Sequence, residues 1–202
     1  MPNKRAANLL VECLINQGVD KIYGVPGESY LSVLDALYDF NEKIRFISTR
    51  HESAASFMAE AYGKLTGEAG ICFVTRGPGA TNASIGVHTA MQNSSPMILF
   101  IGQIARDMTE REAFQEIDYK AYFGSISKWV VQVNNADRLP EIIGRAFSVA
   151  LSGRPGPVVV SLPEDMLREL TNATAVSKIK NCLLYTSPSP RDRTRSRMPS
   201  SA

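Results

Sequence analysis

The chain has 202 residues, 44% hydrophobic and 21% charged, a composition that excludes wholesale disorder and predicts one domain or slightly more at ~100–200 residues per domain. The formal net charge of +2 is misleading, because residues 182–202 hold four Arg and one Asp, leaving 18 basic against 19 acidic residues elsewhere. A near-neutral body excludes electrostatic capture of nucleic acid or an anionic membrane, and the longest apolar run, Met97–Ile101, falls far short of the ~20 residues of a membrane span.

Helical and extended periods alternate along the body. Ala6–Gln17 places Leu9, Leu10, Cys13 and Leu14 at helical spacing, with Gly18 as the stop. Lys21–Gly24 reads as a short strand that runs into the Gly24-Val25-Pro26-Gly27 turn. Tyr30–Phe40 is helical, Ile44–Ser48 a strand, Glu52–Leu65 an Ala-rich helix, and Gly70–Val74 a buried apolar strand. Ala80–Met91 predicts a helix and Met97–Ile101 the next strand. Lys128–Val133, Pro140–Ala150 and Val158–Leu162 complete the series as strand, helix and strand.

Strands separated by helices predict an α/β fold, a mostly parallel sheet with helices on both faces. Sites in such sheets lie at the carboxyl ends of the strands. Three loops fall there: Gly24–Ser29, Thr49–Ser53 and Thr75–Asn82. Gln103–Glu116 is a long connection without a clear period and is a further candidate site loop.

From Cys182 the chain reads CLLYTSPSPRDRTRSRMPSSA, crowded with Ser, Pro and Arg and without helical or extended period. Composition alone suits a disordered basic tail. Cys182–Asp192 and Ser196–Ala202 also resemble, in one frame, translated segments of a transposase-type sequencing adapter. Residues 182–202 are therefore expected to be a non-native disordered tail, irregular and making few contacts with the body. The native sequence is expected to continue beyond about Asn181.

The N-terminus, Met1-Pro2-Asn3-Lys4-Arg5, leads into a mixed segment with Glu12 and Asn16 rather than the apolar core of a signal peptide. Three cysteines without paired spacing predict neither a disulfide framework nor a zinc cluster, and point to a reducing, cytoplasmic setting. Cys13 and Cys72 lie in apolar surroundings, where thiols act as small hydrophobes.

Among the loops, Thr75-Arg76-Gly77-Pro78-Gly79-Ala80-Thr81-Asn82 is a Gly-rich turn between strand and helix. A dinucleotide fingerprint needs a third Gly where Asn82 stands, and a phosphate loop needs Gly-Lys-Ser/Thr, so neither matches. Such a turn either merely fits strand to helix or offers close backbone approach and the Asn82 amide to a flat heteroaromatic ligand. At Arg50-His51-Glu52-Ser53-Ala54-Ala55 a carboxylate opens a helix of small residues, where the helix dipole alone favours an acid. His51 and His88 read as structural neighbours, Lys64 and Lys120 as solvated charges.

Six segments taken in order are more specific: GVPGE, RHESAASFMAEAYGKLTG, GICFVTRGPGATN, PMILFIGQI, REAFQEID and SGRPGPVVVSLPEDM. In order and spacing they resemble the N-terminal, pyrimidine-binding domain of thiamine diphosphate enzymes related to acetolactate synthase, over about Asn3–Leu170. The resemblance implies a domain at 1–175, the start of a linker to a central domain at 176–181, and a diphosphate-binding domain beyond.

By that resemblance Glu52 hydrogen-bonds the aminopyrimidine ring nitrogen of thiamine diphosphate and relays the proton that activates thiazolium C2, a task for a carboxyl group in a dry site. Pro78 and Asn82 match the turn against the pyrimidine, and Val25, Pro26 and Gly27 the loop packed on the same ring. Gln115 and Phe114 match residues at the substrate end, with Gln115 counted beside Glu52 as catalytic, and Lys128 matches a lysine of the acetolactate synthases. Where those enzymes commonly read GGA after the proline, this chain reads Gly27-Glu28-Ser29.

The implied activity is a carboligase or decarboxylase, a transferase or lyase acting on a 2-oxo acid such as pyruvate, with branched-chain amino acid biosynthesis as the implied pathway. The alternatives are a relative acting on another oxo acid or acyl donor, and a non-catalytic single-domain partner subunit. The resemblance further implies Mg2+, whose ligands would lie in the diphosphate-binding domain, and admits FAD. No metal ligands are expected in this chain, which on its own is expected to be inactive. The implied assembly is a homodimer or homotetramer, with each cofactor between two subunits.

Overall fold

The structure is a computed structural model and describes residues 3–179. The tail expected over 182–202 lies outside the described residues. In chain order the elements are β1 (Lys4–Arg5), α1 (Ala6–Asn16), β2 (Lys21–Gly24), α2 (Leu31–Asp39), β3 (Arg45–Ser48), α3 (Glu52–Thr66), β4 (Gly70–Val74), α4 (Pro78–Asn93) and β5 (Met97–Gln103). They continue as α5 (Tyr119–Phe123), β6 (Trp129–Gln132), α6 (Leu139–Leu151), β7 (Pro157–Pro163), α7 (Glu164–Arg168) and β8 (Leu170–Thr171).

Six strands form one parallel sheet in the order β3-β2-β4-β5-β7-β6. The three inner strands β4, β5 and β7 are buried along their whole length, which is why they read as unbroken apolar runs. Their side chains alternate between two cores. Ile98 and Phe100 of β5 face the layer of α1, α2, α6 and α7, while Met97, Leu99 and Ile101 face α3, α4 and α5. The short antiparallel pair β1–β8 ties Lys4 to Thr171 and joins the two ends of the fold.

Helix α1 buries Leu9, Leu10, Cys13 and Leu14 and closes at Gly18 in a Schellman turn, with Val19 N–H donating to Leu14 and Gly18 N–H to Ile15. Helix α4 starts at Pro78, two residues before its apolar period begins, because proline suits the first helical position, where an N–H has no partner. Helices α3 and α4 lie against each other so closely that a Cβ on Gly86 would stand 2.3 Å from Ser56 Oγ. Alanine, serine and glycine fill this interface because nothing larger fits.

Strand β5 runs two residues past its expected end, to Gln103, since Gly102 and Gln103 still pair with Leu162 and Pro163 of β7. Beyond it comes a single 3-10 turn, Arg106–Met108, and then irregular chain to α5. The short helices α5 and α7 and the β1–β8 pair are too brief to show a period, so the pattern did not reveal them. Residues 173–179 are not free of the domain. Asn16 and Gln17 donate to the carbonyls of Val176 and Ser177, Ile179 N–H donates to Gln17 Oε1 at 3.0 Å, and Val176 packs over Gly144 of α6.

Candidate functional site

Strand β2 leads into α2 on one face of the sheet, and its neighbour β4 leads into α4 on the other. Their outgoing loops diverge, and the crevice between them is where open α/β sheets hold ligands. Gly24–Ser29 and Thr75–Asn82 form its two sides, and Thr49–Ser53 joins them from β3, with Thr49 N–H donating to Gly24 O at 2.9 Å.

Glu52 is the first residue of α3. His51 caps that helix, its Nδ1 accepting from Ser53 N–H at 3.2 Å, which requires the proton to sit on Nε2. Asn82, in the second turn of α4, donates from Nδ2 to Glu52 Oε2 at 3.0 Å. Glu52 Oε1 has no protein partner among the described residues. A Cβ on Gly79 would stand 2.8 Å from Thr75 Cγ2, so the glycine lets the turn close on Thr75 beside Oε1.

The turn before α4 is held from several sides. Ser29 Oγ bonds Thr75 Oγ1 at 2.8 Å and accepts from Arg76 N–H at 3.2 Å. Gly77 has φ +61 and ψ −117, a conformation for glycine, and a Cβ there would strike Gln115 Cβ at 2.6 Å. Its N–H donates to Tyr119 Oη at 2.9 Å. Burial pushes the Tyr119 phenol up to about 12, offset in part by this hydrogen bond and by the charge of Arg76. Tyr30 Oη donates to Val25 O and fixes the other side of the crevice, with burial pushing that phenol above its ordinary range.

Val25 and Gly27 are half-buried, and Pro26 and Pro78 are exposed at the rim. Gln115 lies over Gly77 in a left-handed conformation of φ +66, while Phe114 is 78% exposed beside it. The Glu116 carboxylate stabilises this loop by accepting from the N–H groups of Glu110 and Ala113. Glu28 is exposed at the crevice mouth, next to the buried Ser29. Of the residues singled out from sequence, Glu52, Asn82, Pro78, Val25, Pro26, Gly27, Gln115 and Phe114 thus share the carboxyl end of the sheet.

Lys128 does not. It stands at the opposite end, where its N–H donates to Pro157 O at the start of β7 and its ammonium caps the last turn of α6 through the carbonyls of Val149 and Ser152. Partial burial there lowers its proton affinity. Within this chain Lys128 therefore stands apart from the other candidate residues and acts as a helix cap. His88 is exposed on α4, as are Lys64 and Lys120 on their helices, while Cys13 and Cys72 are buried thiols.

Sequence reasoning missed Arg76, Glu164 and Tyr119. A charge inside the Gly-rich turn was the available signal for Arg76. Nothing local marks the other two, whose partners lie far along the chain.

A half-free carboxylate held by a carboxamide at a sheet switch point, beside a glycine-lined turn, marks an α/β domain with a crevice suited to a flat ligand with a hydrogen-bonding edge. Residues 4–122 match the family described as thiamine pyrophosphate enzyme, N-terminal TPP binding domain, and the chain belongs to this family. The acetolactate synthase of Bacillus subtilis (strain 168) is 39% identical over 175 residues, or 87% of this chain and 30% of the relative. The isozyme 3 large subunit of acetolactate synthase from Escherichia coli (strain K12) is 42% identical over 161 residues, 80% of this chain and 28% of the relative. The mitochondrial acetolactate synthase catalytic subunit of Saccharomyces cerevisiae is 41% identical over 155 residues, 77% and 22% respectively. This chain thus spans less than a third of the length of these relatives.

The residues present fit the pyrimidine half of thiamine diphosphate. Glu52 offers a carboxyl oxygen without a protein partner among the described residues, Asn82 holds the other oxygen, and Pro78 and Val25 offer apolar surface beside them.

Proposed function

We propose that this domain holds the aminopyrimidine of thiamine diphosphate for a longer enzyme that decarboxylates a 2-oxo acid such as pyruvate and joins the product to a second carbonyl compound. The observation that carries the reading is the Glu52–Asn82 hydrogen bond of 3.0 Å at the β2/β4 switch point. When bound, the cofactor supplies carbanion chemistry at its thiazolium ring. Glu52 holds a proton at Oε1 toward a ring nitrogen, and Asn82 fixes the plane of the carboxyl group by donating to Oε2. Pro78 and Val25 flank the ring, with Pro26 and Gly27 shaping the loop. Gln115 and Phe114, on the loop over Gly77, would meet substrate.

Magnesium, the diphosphate and any FAD belong, on this reading, to parts of the enzyme beyond this chain. The exposed Phe57, Met58 and Ile85 on α3 and α4 support burial of that face against a second subunit. Two buried, unpaired thiols, Cys13 and Cys72, suit a reducing cytoplasm. Among the described residues no helix is long and apolar enough to cross a membrane.

The test is Glu52→Gln in the full-length enzyme, reading hydrogen–deuterium exchange at thiazolium C2 together with thermal stability. The amide cannot relay a proton, so exchange should slow by ~10²–10⁴-fold while the fold persists. A carboxylate that served only the helix dipole would instead cost about 0.3–1 kcal/mol of stability and leave exchange intact. Wild-type exchange would remove Glu52 from the chemistry and overturn the reading.

A further inference from the structure

Two arginines at the carboxyl end of the sheet pair with acids that follow β7, and they differ in how fully they are used. Arg106 donates from Nε to Asp165 at 2.7 Å, from Nη1 to Asn134 O and from Nη2 to Glu169, so every guanidinium nitrogen has a partner. Arg76 donates from Nε to Phe114 O and from Nη1 to Glu164 Oε2, each at 3.3 Å, and its Nη2 has no partner among the described residues. Charge-assisted pairs normally close to ~2.7–2.9 Å. The Arg76 side chain is only 13% exposed, so a largely desolvated guanidinium keeps three of its five N–H donors uncommitted.

These donors border a cavity of about 190 Å3 at the ends of β4, β5 and β7, whose walls include Ile104, Met108, Ala113, Phe114 and Glu164. At ~30 Å3 for each water it displaces, the space suits a molecule of a few heavy atoms. Because β5 leads to the α5 face and β7 to the α7 face, the cavity lies by a second switch point of the sheet. It shares the Thr75–Gly79 turn with the Glu52–Asn82 pair.

We propose that Arg76 and Glu164 form a carboxylate-selecting subsite in this cavity that takes a short-chain 2-oxo monocarboxylic acid. The uncommitted edge of the guanidinium donates to both oxygens of the carboxylate, and Ile104, Met108 and Ala113 line the space for the short apolar chain. Glu164 makes the choice of charge. Glu164 already offsets the charge of Arg76, so one carboxylate is held by the three uncommitted donors, while a second finds no donor and meets the Glu164 carboxylate. The inference deepens the proposed function by naming the residues that would select its substrate, and it rests on that reading for the link to chemistry.

The test uses the 202-residue chain and needs no turnover. Pyruvate, methyl pyruvate and 2-oxoglutarate are titrated separately while backbone amide shifts are followed by NMR. Pyruvate should move the amides of Arg76, Ile104 and Phe114 with saturation, and methyl pyruvate and 2-oxoglutarate should not. Arg76→Met should weaken pyruvate at least about tenfold, as loss of a charge-assisted pair requires. Glu164→Gln keeps the guanidinium and should admit 2-oxoglutarate, a gain that a merely structural ion pair does not predict. Equal shifts from pyruvate and its ester, or unchanged exclusion of 2-oxoglutarate by Glu164→Gln, would overturn the proposal. A parallel titration with 4-amino-5-hydroxymethyl-2-methylpyrimidine, read at Glu52 and Asn82, separates the two readings. Pyrimidine shifts at Glu52 and Asn82 without pyruvate binding defeat the subsite alone, while pyruvate binding supports the subsite whether or not this half-site holds the pyrimidine, whose assignment is decided by Glu52→Gln in the full-length enzyme.

Discussion

The two helical layers solve the same packing problem with opposite materials. Over one face of the sheet, α1 and α6 bury Leu9, Leu10, Leu14, Ile142, Ile143 and Phe147, and residues 173–179 run across them. Over the other, α3 and α4 meet through Ala55, Ser56, Ala59, Ala83 and Gly86 and turn Phe57, Met58, Leu65 and Ile85 outward. Among the described residues α1 and α6 expose no large apolar side chain. The first layer stabilises by apolar area removed from water. The second gives up area for close approach of two helix backbones, and that approach sets Glu52 against Asn82.

The contrast should break most visibly at Phe100, which stacks on Phe73 with ring centroids 4.6 Å apart beneath the first layer. Phe100→Ala should cost ~3–5 kcal/mol in denaturant unfolding. Ile85→Ser, at a position 52% exposed, should leave the stability of this chain within about 0.5 kcal/mol. A large loss at Ile85 would show that the second layer is sealed within this chain after all.

A glycine in each layer sharpens the comparison. Gly86→Ala drives a methyl to 2.5 Å from Ser56 Cβ and 2.8 Å from the Ser56 carbonyl carbon, neither of which can yield without parting the helices. The cost should be about 3 kcal/mol, and the amide shift of Asn82 should move with it. At Gly144 a new Cβ meets Val176 Cγ2 at 3.2 Å, a contact with the 173–179 segment rather than with a helix. The gain of ~1 kcal/mol in helix propensity offsets that contact, so Gly144→Ala should be neutral within about 0.5 kcal/mol.

The smallest expected effect separates the two arginines by pH. Burial raises Asp165, but the hydrogen bonds and charge of Arg106 outweigh it and hold the carboxyl below its ordinary value. A depressed folded-state value means that the stabilisation is present above the unfolded-state value of ~3.9 and is lost as pH falls through the folded one. Thermal melts of the wild type should therefore fall more steeply below about pH 4 than those of Asp165→Asn. Parallel melting curves for the two proteins would show that the ion pair contributes nothing to folding.

Much of this organisation was legible in the chain because the signals are local. An apolar run bounded by turn residues buries the same way in any parallel sheet, so β4, β5 and β7 and the longer helices α4 and α6 between them declare themselves. The loop position of Gln115 and the helix-start positions of Glu52 and Asn82 follow from the order of those elements. The order also puts Glu52 at the head of a helix, where acids are common for dipole reasons alone, so the residue by itself does not distinguish a helix-start charge from a working carboxyl group.

The partners were decided by strand order, which periodicity does not encode. Asn82 reaches Glu52 because β2 lies beside β4 and the α3–α4 interface is thin. Arg76 reaches Glu164 across 88 residues because β7 inserts between β5 and β6. Lys128, adjacent to a strand like the others, falls at the amino end of the sheet and serves α6 instead. The sequence alone determined which residues are buried, which lie in loops and which helices are lined with small side chains. Only the tertiary structure decided which end of the sheet each loop shares, because a hydrogen bond or ion pair depends on distances that no local period specifies.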